Sequence, residues 1–88
     1  MIWEKINRFS SISNYKSLSE AARSEKISQS TLSRDIATLE NAFGAILIAR
    51  SYNGIKLTDD GSSLIEIVQS FRGNLKNFKT KIQFLKSK

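Results

Sequence analysis

Two helix-start signals stand close together near the N-terminus and leave the chain few ways to fold between them. In Ser17-Leu18-Ser19-Glu20 the Ser17 hydroxyl can accept from the amide of residue 20, while the Glu20 carboxylate reaches back to the amide of Ser17. That reciprocal pair is a capping box. A second start falls at Ser28, followed by Leu32, Ile36, Leu39 and Phe43 at spacings of four, three and four, the period of an amphipathic helix. Between the two fit only a short helix and the turn Glu25-Lys26-Ile27-Ser28, with Ile27 as its one apolar plug. The short helix carries Ala21 and Ala22, small enough to let another helix come close. Gly44 stands where the longer helix should end in the left-handed region. This order predicts a helix-turn-helix.

The flanking segments extend the pattern. Ile2, Ile6, Phe9 and Ile12 recur at spacings of four, three and three, which predicts a first helix ending near Asn14, joined to the second through Tyr15 and Lys16. Beyond Gly44 the period changes. Residues 47–52 and 55–57 flank Asn53-Gly54, a strong hairpin signal because both positions of a type I′ turn need positive φ. Thr58 then caps a last helix with Asp59 and Asp60 in its first turn, where the macrodipole favours negative charge. Along it Leu64, Val68, Phe71, Leu75, Phe78, Ile82 and Leu85 alternate four and three. A 3.5-residue repeat held over three heptads is a seam for a second helix. A core this small cannot cover a helix of about 25 residues, roughly 38 Å at 1.5 Å per residue, so a homodimer through the last helix is expected. Gly73 lies inside that helix at a cost of about 1 kcal/mol relative to Ala, and nothing in the sequence explains it. The expected fold is mainly α, a winged helix-turn-helix with a two-stranded wing and a long C-terminal dimerisation helix. Residues 1–58 would form the winged domain, and residues 59–88 the dimerisation helix and a basic tail.

Composition narrows the chemistry. With 88 residues there is one domain and no room for a core plus a substrate cleft, so no small-molecule site is expected within the chain. Fourteen Lys+Arg against eight Asp+Glu give a net charge of +6, which attracts polyanions. Cys and His are both absent, which removes thiolate metal sites, disulfides and the commonest general base. Neither a metal nor a cofactor is expected. Asp59 and Asp60 are the only adjacent carboxylates, and consecutive helical residues point about 100° apart, so they do not converge as a catalytic pair. Met1-Ile2-Trp3 meets Glu4 and Lys5 at once, and the longest apolar run, Ala45-Ile46-Leu47-Ile48-Ala49, is too short to cross a bilayer. A cytoplasmic, nucleoid-associated protein without a membrane partner is the expectation.

With its apolar stripe turned inward, the third helix shows Gln29, Ser30, Ser33, Arg34 and Ala37 outward. Gln can pair bidentately with adenine and Arg with guanine O6 and N7, Ser donates or accepts, and Ala leaves room for a thymine methyl. All lie near the helix N-terminus, the end that enters a major groove in helix-turn-helix proteins. Gln29, Ser30, Ser33 and Arg34 are the candidate base readers. Ser28 and Thr31, with Arg50, Tyr52, Asn53 and Lys56 of the wing, are candidates for phosphate or minor-groove contact. Lys56 equally suits a solvated strand, and Arg50 a buried ion pair bracing the wing. Trp3 and Tyr15 read as packing aromatics. From Arg72 onward six basic residues and no acidic one follow, which complements a helix C-terminus and a solvated tail. The partner these features imply is double-stranded DNA, read at an inverted repeat by a dimer. A winged module that docks a protein is the alternative; it would bind DNA weakly and without salt dependence.

Ala21-Ala22, the run from Ile27 to Ile36, Leu39-Glu40, Phe43-Gly44, Leu47, Arg50, Leu57-Thr58 and Gly61 together resemble the N-terminal domain of LysR-type transcriptional regulators. Phe9 and Ser17-Leu18 fit the same register, and the likeness runs from about residue 2 to 85. It implies a winged helix-turn-helix whose fourth helix pairs with that of a second subunit, and base and phosphate contacts from Gln29, Ser30, Ser33, Arg34 and Arg50. Four positions depart from the family pattern. Glu25 replaces an apolar residue, which implies a looser or salt-bridged end to the second helix. Ser30 replaces a common Pro, Ile48 a larger Phe, and Asn53 a basic wing-tip residue. Members normally carry a C-terminal effector domain beyond the stretch matched here, so the sequence is either a domain excised from a longer chain or a naturally short form. A short form would act without an effector, or pair with a full-length relative.

Overall fold

In the computed structural model, which describes residues 2–51 and 54–86 but not the side chains of residues 50 and 51, three of the helices begin at side-chain caps. The elements are α1 (Ile2–Ser10), a 3-10 turn (Ile12–Asn14), α2 (Leu18–Ser24), α3 (Gln29–Phe43), β1 (Ile48–Ser51), β2 (Gly54–Leu57) and α4 (Asp59–Lys86). The Ser17 Oγ accepts from the Glu20 amide and the Ser28 Oγ from the Thr31 amide, each at 3.1 Å. The Thr58 Oγ1 accepts from the Gly61 amide at 3.0 Å. The return half of the Ser17 capping box is not formed among the described residues. The first helix stops at Ser10, whose hydroxyl donates to the Asn7 carbonyl at 2.6 Å, and the chain tightens into the 3-10 turn instead of continuing to Asn14.

Backbone bonds close the turn between α2 and α3. Lys26 takes φ 60, its amide donates to the Arg23 carbonyl at 3.2 Å, and the Ile27 amide donates to the Ala22 carbonyl at 3.0 Å. These are the paired bonds of a Schellman motif, which seat Ile27 against the core. Glu25 makes no ion pair among the described residues, and its amide donates to the Ala21 carbonyl at 2.9 Å. A non-glycine residue held left-handed costs about 1–2 kcal/mol.

The helices converge on Phe9, Ile12, Leu32, Leu39 and Leu47, all fully buried, with Ala21 and Ala22 where α2 crosses α3. Phe43 does not complete the α3 stripe; it is 50% exposed. Gly44, at φ 65, reverses the chain immediately after it, so Leu47 fills the core and Phe43 is left on the rim. There it lines an apolar groove of about 250 Å³ with Leu47, Leu64 and Ile67. Ile48, buried, plugs the base of the wing.

The hairpin is antiparallel, with Ile48 opposite Leu57 and Ser51 opposite Gly54. Gly54 therefore belongs to the ladder and is not a turn position paired with Asn53. Its φ of 122 and the Lys16 carbonyl, with which a Cβ would collide, explain why it is glycine.

The last helix turns one face inward and another outward. Gly61, Ile65 and Val68 are buried in the chain's own core, and Leu64 is half-buried. Val68 is therefore not free to serve an external seam, and Ile65, absent from the heptad pattern, takes a core position. Beyond Val68 the stripe emerges: Phe71, Leu75, Phe78 and Leu85 are 46%, 51%, 61% and 55% exposed, and Ile82 partly so. Only Phe71 has a described ring partner. It meets Trp3 of α1 edge-on at 5.6 Å and 80°.

Gly61 and Gly73 predict opposite responses to alanine. A Cβ at Gly61 would strike the Leu47 carbonyl oxygen, whereas nothing lies within 4 Å of one at Gly73. Gly61→Ala should lower stability by about 1–3 kcal/mol and Gly73→Ala raise it by about 1 kcal/mol. Urea unfolding midpoints check both; equal shifts would contradict the close contact.

Candidate nucleic-acid interface

Because Leu32, Ile36 and Leu39 hold the inner face of α3, its first turns present a polar face to solvent. Gln29, Ser30, Arg34 and Ala37 are exposed, and Ser33 and Thr31 are half-buried. Ser28 is exposed at the cap. Its Oγ donates to the Thr31 Oγ1 at 2.8 Å and lies 3.2 Å from the Ser30 Oγ. The Ser19 Oγ, from the start of α2, donates to the Gln29 Oε1 at 2.6 Å. The side chains the sequence singles out thus share one exposed end of α3.

Both carboxylates of α3 are turned to internal partners. Asp35 accepts from the Arg8 Nη1 at 2.5 Å, with the Lys5 Nζ at 4.0 Å, in a partly buried cluster that docks α1 on α3. The Glu40 Oε2 accepts from the amides of Leu47 at 2.8 Å and Ile48 at 3.4 Å. The outer face of α3 therefore carries Arg34 with no opposing carboxylate of its own helix. Arg23, Lys26, Lys16 and Lys56 are also exposed. Such a surface attracts phosphate without the desolvation of a buried charge.

In the wing, Lys56 projects from β2 opposite Ala49 and is exposed. Arg50 lies in β1 opposite Ile55, its side chain outside the description, and Tyr52 and Asn53 lie outside the described residues. Trp3 and Tyr15 both pack, the former on Phe71 and the latter against the core with its hydroxyl 2.8 Å from the Ser24 Oγ.

Sequence reasoning missed Arg8, Asp35, Ser19 and Glu40. The first three act across 27 and 10 residues, beyond any periodicity. Glu40 did carry a signal, since a carboxylate near a helix C-terminus opposes the macrodipole and so calls for a donor.

The family model for bacterial regulatory helix-turn-helix proteins of the lysR family matches residues 3–62. The uncharacterized HTH-type transcriptional regulator YybE of Bacillus subtilis (strain 168) is 34% identical over 85 residues, 97% of this chain and 29% of that protein. A probable RuBisCO transcriptional regulator of Thalassiosira pseudonana is 40% identical over 58 residues, 66% of this chain and 19% of that protein. The chain thus spans less than a third of the length of these two relatives. In the crystal structure of a CbnR_DBD–DNA complex the protein chain is similar with a TM-score of 0.77 and 23% identity, covering 94% of this chain and 95% of that one. The BenM_DBD/benA site 1 DNA complex gives 0.77 and 23%, over 93% and 95%. At this identity the likeness is one of fold.

Replacing Glu40 by Ala leaves two backbone amides at the wing base without their acceptor. The expected loss is about 1–3 kcal/mol, with faster hydrogen exchange at Leu47 and Ile48; unchanged protection there would show that Glu40 does not hold the wing.

Proposed function

This chain belongs to the lysR family of bacterial regulatory helix-turn-helix proteins, a family of DNA-binding transcriptional regulators, and from that premise we propose that it binds an inverted-repeat duplex site as a homodimer. In this proposal residues 1–58 read the DNA and residues 59–88 assemble the dimer, at the nucleoid in the cytoplasm. Gln29, Ser30, Ser33 and Arg34 meet base edges in the major groove. Ser28 and Thr31 bond phosphate at the start of α3, and Arg50, Tyr52, Asn53 and Lys56 do so from the wing. The observation that carries the proposal is the exposed end of α3, where Gln29, Ser30 and Arg34 stand together while both acids of the helix are engaged elsewhere.

Dimerisation is supported by the stripe Phe71, Leu75, Phe78 and Leu85, too exposed to be stabilising in a lone chain. Ile82 and Leu64 border it, while Val68 supports α4 from within. Two recognition helices then address successive major grooves of one face, as helix-turn-helix dimers do.

A duplex selected from a randomised pool serves as the specific site. Arg34→Ala should cost about 1–3 kcal/mol against that duplex and little against a scrambled one; equal losses on both would remove Arg34 from base reading. The affinity should fall steeply with salt, and a flat series would favour a protein-docking module. Phe78→Asp, on the part of the stripe free of α1, should yield monomers in sedimentation; an intact dimer would place the interface elsewhere.

A further inference from the structure

The Ser19–Gln29 hydrogen bond joins two elements that the sequence pattern treats separately. Ser19 is the second residue of α2 and Gln29 the first of α3, and both are exposed. Their 2.6 Å bond lies on the surface, where neither side chain needs a partner to satisfy burial. Glutamine is among the side chains that lose most rotamer freedom when fixed, and a reader already restrained in the free protein loses less of it on binding. The Ser19 hydroxyl donates to Oε1, which leaves both Nε2 protons and a second Oε1 lone pair for a base edge. Beside it the Ser30 hydroxyl is held near the Ser28 cap at 3.2 Å, so the whole first turn of α3 is ordered from behind.

We infer that Ser19 is a positioning residue for base recognition: it holds the Gln29 amide in its reading orientation and raises discrimination between sites without itself touching a base. This rests on the proposed role of Gln29. The same bond also ties the start of α2 to the start of α3, so the hydroxyl sets how the two helices share one DNA face.

The test is a double-mutant cycle with Ser19→Ala, Gln29→Ala and the double variant, measured on the selected duplex and a scrambled one across a salt series. Ser19→Ala should weaken the specific duplex about threefold to tenfold, leave the scrambled duplex and the salt slope unchanged, and have no effect in the Gln29→Ala background. Ser19→Thr, which keeps the hydroxyl, should restore wild-type discrimination. An equal effect of Ser19→Ala with and without Gln29, a loss on both duplexes with a shallower salt slope (a direct phosphate contact), or no effect at all would each overturn the inference while leaving the reading of Gln29 intact. Were Gln29→Ala itself to discriminate like wild type, the role of Gln29 would fail and the inference with it.

Discussion

Leu47 is the joint on which the other elements depend. Its amide donates to the Glu40 carboxylate of α3, its carbonyl accepts from the Thr58 amide at the head of α4 at 3.1 Å, and its side chain is buried in the core. One residue thus ties the recognition helix, the wing and the last helix together. Burying it satisfies both of its backbone groups, which an interior position demands. The Thr58 hydroxyl adds a second tie by donating to the Ile46 carbonyl at 2.5 Å. The same threonine accepts from Gly61, so the start of α4 and the path of the chain into the wing are set by one side chain.

Around this joint, charge is sorted by side. The acids that approach α3 are consumed internally, by Arg8 and Lys5 at one end and by backbone amides at the other. The helix therefore offers its outer face polar and cationic groups, although it contains two carboxylates. Along α4 the sorting is lengthwise. The face that buries Gly61, Ile65 and Val68 continues as Arg72, Lys76 and Lys79, basic from the point where the core ends. Arg72 marks the transition, with its guanidinium donating to the Asn7 side chain and carbonyl on α1. The apolar stripe runs beside this face, turned roughly 80° around the helix at 100° per residue.

Features set by neighbours in sequence were legible from it. Ser17, Ser28, Thr58 and Gly44 work through amides and carbonyls within a turn, and each stands where the sequence predicts. The four-residue turn and the two-stranded wing follow from similarly local preferences. Errors arose where two faces compete. Periodicity marks Phe43 and Val68 as apolar without saying which neighbour takes them, so Phe43 lies on the rim and Val68 in the core. Asn53-Gly54 was legible as a reversal but not in register, because the Lys16 carbonyl, distant in sequence, requires glycine at 54. The outer face of α3 was readable by subtraction of its inner one. Its supporting contacts from Ser19 and Arg8 were not, since an isolated polar residue does not announce a partner ten or more positions away; Glu40, whose partner amides are those of Leu47 and Ile48, showed only as an acid near a helix C-terminus.

The absence of a side chain at Gly61 gives the fold a mechanical property. The backbone of α4 rests directly on the Leu47 carbonyl, with no flexible group between them to absorb motion. Beyond it the helix is braced again by α1, through Trp3 on Phe71 and Asn7 on Arg72. The shaft is thus held at both ends of that stretch, and only about 14 residues after it, roughly 21 Å, stand clear of the core. The bare backbone at 61 sets how low α4 sits on the segment that leads into the wing, and a load on the free tip meets the α1 brace first.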